Sequence, residues 1–410
     1  MRLKEMDFSV LQQCMHCGMC LPTCPTYDTT KRERNSPRGR ISLMRAIATD
    51  DLEMAEGFAD EMSFCLGCLA CESACPAGVD YAGLFEASRA DIEEKGLNKG
   101  LGRKLVRFGT LECLFMRPRL LRWAGRGMRL WQKLGAAKFL PARLRALERQ
   151  APEIGERFSN ELIEPIEGEG KWKVAMLTGC VQDLAYAEIN RDTVDVLVAN
   201  GCEVHTPPVQ PCCGSIHAHN GEEEMARANA RRLLDLLPPD SFDVIISNAG
   251  GCGSHMRHFA KLLPNDGRAK EWDAKVRDIH EFLVEVKVRP PMAAPFEEKV
   301  RVTYHDSCHL AHGQKVVLPP RMVIDLMPGV TRVELKESDW CCGSAGVYSL
   351  TQPEQSRLLL ERKAGHIRAT GAKILLTANP GCHLQIQNAM PELNVLHPVT
   401  LLAKAYRNEC

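Results

Sequence analysis

The 410-residue sequence contains no apolar stretch that approaches the length of a membrane span. No apolar run ahead of a small-residue cleavage site opens it, so a cytoplasmic protein is expected. Charge of neither sign is in excess, with 52 Lys and Arg against 52 Asp and Glu. Overall charge therefore points to no nucleic acid and to no other particular partner. No Gly-x-Gly-x-x-Gly stands in the context of a strand and a helix, and no other persuasive flavin motif is present. Hydride or carbanion chemistry is accordingly expected on another chain, with no flavin on this one.

What the sequence has in excess is cysteine, nineteen residues in all. Without an export signal these are not expected to form structural disulfides, and clustered cysteines point instead to metal or redox chemistry. Cys113, Cys202 and Cys410 stand alone and read as small buried hydrophobes. The other sixteen fall into patterns.

Two runs, "CMHCGMCLPTCP" and "CLGCLACESACP", both follow C-x2-C-x2-C-x3-C-P. That is the bacterial ferredoxin run, in which three closely spaced thiolates converge on one [4Fe–4S] cube and the fourth ligates the other cube. The expected ligand sets are Cys14, Cys17, Cys20 and Cys75 for one cluster, and Cys65, Cys68, Cys71 and Cys24 for the second. Zinc would ask for two C-x2-C pairs and has no use for the triple run with a trailing Cys-Pro. The intervening "ISLMRAIATDDLEMAEGFADEMSF" has helical periodicity. "SPRGR", Ser36 to Arg40, reads as a helix start or as a basic partner contact.

Between Gly100 and Gln150, thirteen Lys and Arg face two acidic residues among Leu, Phe and Trp. The expectation is a set of short amphipathic helices, read either as an ordinary linker or as a peripheral contact with an anionic membrane or a partner subunit.

From Lys171 onward the chain repeats itself with a period near 130 residues. "KVAMLTGC" answers to "KVRVTYHDSC", "CCG" at Cys212 to "CCG" at Cys341, and "DVIISNAGGC" to "KILLTANPGC". Apolar strands alternate with amphipathic helices in each copy, which implies parallel α/β sheets. Cys180, Cys252, Cys308 and Cys382 follow apolar strands, at the carboxyl ends where open α/β sheets bind ligands. Gly214 and Gly343 permit the tight turn that lets a vicinal pair approach one centre. Each repeat thus offers four thiols, Cys180, Cys212, Cys213 and Cys252, then Cys308, Cys341, Cys342 and Cys382. Metal ligation is the leading reading, and a redox dithiol or vicinal disulfide the other.

These residues resemble the CCG-domain family, whose members include components of heterodisulfide reductase and of anaerobic glycerol-3-phosphate dehydrogenase, and lactate-utilisation proteins. The order of parts, with "PRGRISLM", "CCGSAGVYSLTQPEQSRLL" and "LTANPGC", is similar to glycolate oxidase iron–sulfur subunits. The resemblance implies two [4Fe–4S] clusters and a further iron–sulfur centre in the CCG domains. It also implies a membrane-associated complex in which an FAD-containing hydroxy-acid dehydrogenase reduces this chain and quinone accepts the electrons. Contact with the cytoplasmic face of the inner membrane would run through residues 101–150. A heterodisulfide-reductase-like catalyst and an iron–sulfur component of a lactate or glycerol-3-phosphate dehydrogenase are the alternatives. In heterodisulfide reductase the last motif is C-x2-C, but here His255 and Gln385 take the place of the fifth cysteine, which counts against disulfide reduction. His255 reads as a hydrogen-bonding or catalytic neighbour of the site, with metal ligation as the other reading.

The expected architecture is α+β and multidomain: a helical two-cluster ferredoxin domain over 1–100, a basic helical linker over 101–168, and duplicated α/β CCG domains over 169–290 and 291–410.

Overall fold

A computed structural model describes residues 1–141, 145, 148 and 150–409. Cys410 and part of the basic segment lie outside the described residues.

Two sheets carry the duplicated half. The first has the order β1-β3-β2-β4-β5, from β1 (Ile166–Glu167), β2 (Trp172–Leu177), β3 (Cys202–His205), β4 (Val244–Ser247) and β5 (Val276–Asp278). The second has the order β7-β6-β8-β9, from β6 (Val300–His305), β7 (Val330–Val333), β8 (Ile374–Thr377) and β9 (Asn394–Leu396). All neighbours are parallel except the short edge strand β1. The duplication extends to register: Leu177 pairs with Ser247 at the end of β2, and His305 pairs with Thr377 at the end of β6. Every residue of β4 and β8 is buried, because helices cover both faces of each sheet.

Alternation along the strands divides the packing. Val174 and Met176 point with Ile246 into a core shared with Val302, Tyr304, Ile374 and Leu376 of the other sheet. Ala175, Leu177 and Ile245 face the opposite side, against Leu233 of helix Glu223–Leu236. Four helices stand between the sheets. Helix Ala187–Ala199 of the first repeat packs on Pro398–Arg407 of the second, and Ile279–Glu285 packs on Leu318–Asp325. First and last helices thus exchange partners across the duplication, and the two sheets form one body.

The N-terminal module wraps helices Pro37–Ala48, Glu56–Ser63 and Tyr81–Glu94 around Met44, Met62 and Leu84. The periodic segment between the cysteine runs is two helices rather than one. Asp50 adopts a left-handed φ of 64° after the first, and the chain folds back to bury Met54. "SPRGR" is a helix start: Ser36 caps the Gly39 amide at 3.0 Å.

The basic segment begins with helix Leu101–Arg107, continues through a π-helical turn to Leu114, and resumes as helix Pro118–Lys133. The second helix lies on the first repeat through Leu121 and Gly125, where Leu184 leaves no room for a side chain at Gly125. Arg122 reaches Asp183 at 2.7 Å. Its apolar stripe of Leu120, Trp123, Leu130, Trp131 and Leu134 faces solvent. Among the described residues, no helix is long and apolar enough to cross a membrane.

Candidate metal centres

The N-terminal cysteines gather at two places. Cys14, Cys17, Cys20, Cys71 and Cys75 line one cavity with Pro37, Arg38 and Tyr81. The Cys71 thiol is pushed well above its ordinary range by burial and by its neighbours Cys68, Cys65 and Cys24. The cysteine trailing the first run thus lies among the second triplet, and the one trailing the second run lies beside the first triplet.

Two arginines stand around the second group, Arg40 buried and Arg89 half-buried. Arg40 donates to the carbonyls of Glu61 at 3.0 Å and Asn35 at 2.8 Å, and stays cationic beside Cys65 and Cys24 despite burial. Arg89 donates to the Met62 and Cys65 carbonyls, both at 3.1 Å, and lies over the Phe85 ring. Two fixed positive charges within this apolar module suit a group that carries net negative charge. Arg40 is therefore not a surface contact for a partner.

In the first repeat, Cys180 and Cys212 approach to 3.6 Å between sulfurs. The contact with Cys212 and burial hold the Cys180 thiol well above its ordinary range. Cys213 sits between Cys212 and Cys252. In the second repeat Cys341 touches Cys308 and Cys342, and these contacts with burial raise it; Cys342 in turn touches Cys382. The four thiols expected in each repeat do converge.

The CCG glycines have the geometry their position requires. A Cβ on Gly214 (φ 94°) would come within 3.2 Å of the Ala226 carbonyl oxygen, and one on Gly343 (φ 85°) within 2.6 Å of that of Ser356. Their amides donate to the sulfurs of Cys212 at 3.5 Å and Cys341 at 3.4 Å. Cys252 and Cys382 lie in the first turns of helices Gly250–Met256 and Pro380–Ala389 rather than in loops. Thiols packed this tightly cannot all ionise without a cation among them, and metal binding would displace their protons. The donor sets fit iron–sulfur groups in the N-terminal module and a metal centre in each repeat.

At the fifth-cysteine positions, Gln385 donates to Ser356 Oγ at 3.0 Å, and that hydroxyl donates to the Gly343 carbonyl of the CCG loop at 2.9 Å. His255 is buried beside Gly214 with Nε2 unpartnered, and burial lowers its pKa to about 4. The ligating histidine candidate is one that sequence reasoning missed. His305, fully buried at the end of β6, has a ring nitrogen within 4.8 Å of the sulfurs of Cys342 and Cys382, which also lie within that distance of each other. It stands three positions before Cys308, and that spacing in "HDSC" was the available signal.

The centres are neighbours. Burial, and then the proximity of Cys308, raises the Cys68 thiol. Leu66, Cys68, Cys308, Cys341 and Tyr348 share one small apolar cluster. Tyr348 donates to the Phe64 carbonyl at 3.0 Å, so the second ferredoxin run docks on the second repeat. The repeats are bridged by Asn379, which accepts from the Gly251 amide at 3.1 Å and approaches the Cys382 sulfur at 3.7 Å.

Residues 10–79 match the 4Fe-4S dicluster domain family, and residues 174–257 and 302–387 each match the cysteine-rich domain family. The "Glycolate oxidase iron-sulfur subunit" of Escherichia coli (strain K12) is 30% identical, covering 100% of this chain and 97% of that protein. The "Probable glycolate oxidase iron-sulfur subunit" of Bacillus subtilis (strain 168) is 36% identical over 94% of this chain and 90% of that protein. The chain belongs to the glycolate oxidase iron–sulfur subunit family. Family membership makes the two cysteine-rich sites parts of an iron–sulfur electron-transfer subunit. The "Lactate utilization protein A" of Shouchella clausii is 30% identical over 52% of this chain and 89% of that protein. About half of this chain is therefore shared with a protein named for lactate.

Proposed function

We propose that this chain carries electrons from an FAD-containing partner, which oxidises glycolate to glyoxylate, towards quinone, and that alone it does not act on the hydroxy acid. The observation that carries this reading is that Cys68 and Cys308 pack on one small apolar cluster with Leu66, Cys341 and Tyr348, which sets a ferredoxin site beside a CCG site. Bound [4Fe–4S] clusters would supply reversible one-electron transfer. Cys14, Cys17, Cys20 and Cys75 would hold one, and Cys65, Cys68, Cys71 and Cys24 the other. The cavity that the first set lines, and the closeness of Cys24 to the second triplet, support these sets. Cys180, Cys212, Cys213 and Cys252, and then Cys308, Cys341, Cys342 and Cys382, would hold the further centres. Arg40 and Arg89 would offset the added negative charge, and the Gly214 and Gly343 amides would donate to coordinated sulfurs. The working units are residues 1–100, 101–168, 169–290 and 291–410.

Peripheral membrane contact belongs to the same reading. The outward stripe of Leu120, Trp123, Leu130, Trp131 and Leu134, with exposed Phe139 beyond it, is flanked by Arg119, Arg126 and Lys133. An apolar stripe with indoles and cations at its margins suits an anionic bilayer surface near the quinone pool.

The test is reconstitution. The anaerobically prepared chain, the flavoprotein and glycolate together should reduce a soluble quinone analogue, and either protein with glycolate alone should not pass electrons from the acid to the quinone through these centres. Glycolate-dependent dye reduction by the flavin-free chain alone would contradict the proposal.

A further inference from the structure

The two repeats bring together the same four thiols in different surroundings. Leu177 and His305 are equivalent: each ends its central strand, pairs with the last residue of the neighbouring strand, and precedes the first cysteine by three residues. A second equivalence follows from the CCG glycines. Gly214 packs on Ala226 and Gly343 on Ser356, so Leu233, seven residues beyond Ala226, corresponds to Lys363, seven beyond Ser356. Leu177 and Leu233 line the first-repeat cavity together with Cys213, Cys252 and Met256. The second repeat has an imidazole and an ammonium at those two places.

Neither substitution is at the surface. His305 is 0% exposed and Lys363 is 1% exposed. An isolated buried ammonium is costly, so a buried lysine calls for a counter-charge. Lys363 Nζ donates to the carbonyls of Ser338, at 3.2 Å, and Glu337, and the acidic groups that act on it are the thiols of Cys342, Cys341 and Cys382 and the Asp339 carboxylate. His305 is oriented as metal-binding histidines are. Its Nδ1 donates to the Ser338 carbonyl at 2.9 Å, which leaves the lone pair on Nε2. That atom is buried without a hydrogen-bond partner, and a ring nitrogen of His305 lies within 4.8 Å of the Cys342 and Cys382 sulfurs. Ser338 therefore anchors both groups.

We propose that His305 is a nitrogen ligand of the second-repeat centre, with Lys363 as its buried counter-charge, so that the two repeats hold centres of unequal potential. The inference rests on the reading above that the repeats hold iron–sulfur centres. A neutral imidazole completes the ligand set without the negative charge that a fifth thiolate would add, so the centre stays easier to reduce than a five-thiolate one. A buried ammonium beside it favours the electron-rich state in the same direction. The first repeat has leucines at both places, and its buried histidine, His255, stands instead beside Gly214. The second-repeat centre is also the one that adjoins Cys68 through Cys308. It is thus both nearest to the N-terminal clusters and the stronger acceptor, and the first-repeat centre lies beyond it or to one side.

The test uses the full chain, reconstituted anaerobically with iron and sulfide after growth on 15N-histidine. Pulsed EPR hyperfine spectroscopy should detect one directly coordinated histidine nitrogen. The N-terminal cysteine sets provide none, so that signal belongs to the C-terminal half. His305→Cys should keep the iron, abolish the nitrogen coupling and lower the midpoint potential of that centre. Lys363→Met should lower the potential while the coupling persists. Iron beyond the two N-terminal clusters with no nitrogen coupling overturns this inference alone, as does a coupling that survives His305→Cys. No iron beyond those clusters overturns the parent reading as well. If His305→Cys does not fold, the presence or absence of the wild-type coupling still decides.

Discussion

His309, the residue after Cys308, donates through Nε2 to the carbonyl oxygen of Gly67, the residue before Cys68, at 2.8 Å. Burial holds the imidazole neutral, with a pKa lowered to about 4, so this neutral bond persists at physiological pH. It ties a ferredoxin loop to a CCG loop at the place where electrons would cross. His309→Ala should leave both N-terminal clusters in place and slow their reoxidation by the C-terminal centre about tenfold or more, through loss of positioning. Freeze-quench EPR measures the step. An unchanged rate would show that the bond does not hold the two sites in register.

Cys17→Ser and Cys68→Ser should each lose about four irons and the matching acid-labile sulfide. Assayed separately, the two losses should be of different clusters. Full iron content in either variant, or zinc without sulfide in the parent chain, would contradict the ligand sets.

Arg40 lies buried beneath the second cluster site and satisfies the carbonyls of Glu61 and Asn35. Arg40→Leu takes a donor from the Glu61 carbonyl and removes a buried charge, although the Asn35 carbonyl keeps Thr26 Oγ1 at 2.8 Å, and should cost about 3 kcal/mol. Calorimetry should show a lower Tm, and the second cluster should titrate at a lower potential. Arg40→Lys should recover part of the potential shift.

His397 sits between the repeats, 1% exposed, with Nε2 donating to the Asn248 carbonyl at 3.0 Å and Nδ1 accepting from the Val399 amide at 3.1 Å. Burial, then the neighbouring His280, depresses its pKa well below the usual imidazole value. The unfolded chain therefore binds a proton that the folded chain refuses. Stability from this site is complete above the unfolded pKa and falls as pH drops below it, by about 1.4 kcal/mol per pH unit. His397→Asn can still cap the following helix, and should flatten the decline in Tm between pH 7 and 5. An equal slope in the variant and the parent would contradict it.

Trp123, Leu130 and Trp131 are exposed, so replacing them with Gln should change folding stability by no more than about 0.5 kcal/mol. Sedimentation with vesicles containing anionic lipid should nevertheless fall severalfold. Undiminished binding would assign the stripe to something other than a bilayer.

How legible this was in the sequence depended on distance along the chain. The ferredoxin runs carry their chemistry in local spacing, and the CCG repeats reveal themselves by recurrence, so sixteen cysteines were readable as sites. Strands β2, β4, β6 and β8 were readable because both faces are covered and each carries a short, mainly apolar run. The short β1, β5 and β9 gave no such run. Arg40 looked like a surface cation in a basic turn, because nothing local shows that its guanidinium turns inward to two carbonyls. His305 and Lys363 were missed for a related reason. One ends an apolar strand and the other lies on an amphipathic helix, and only the register of the second sheet brings them to one set of thiols. The exchange of helices between the repeats, which seats Pro398–Arg407 on Ala187–Ala199, is likewise a long-range fact.

The account's central claim is that electrons entering the N-terminal clusters leave through the second-repeat centre. The most direct measurement is rapid-freeze EPR of the chain with its flavoprotein partner and glycolate, followed by a quinone analogue, comparing the parent with Cys341→Ser. In the parent, the reduced N-terminal cluster signals should rise on glycolate addition and decay on quinone addition. In Cys341→Ser they should rise at the parent rate and persist. Decay at the parent rate in the variant would mean that electrons leave by another route, and the account would be wrong.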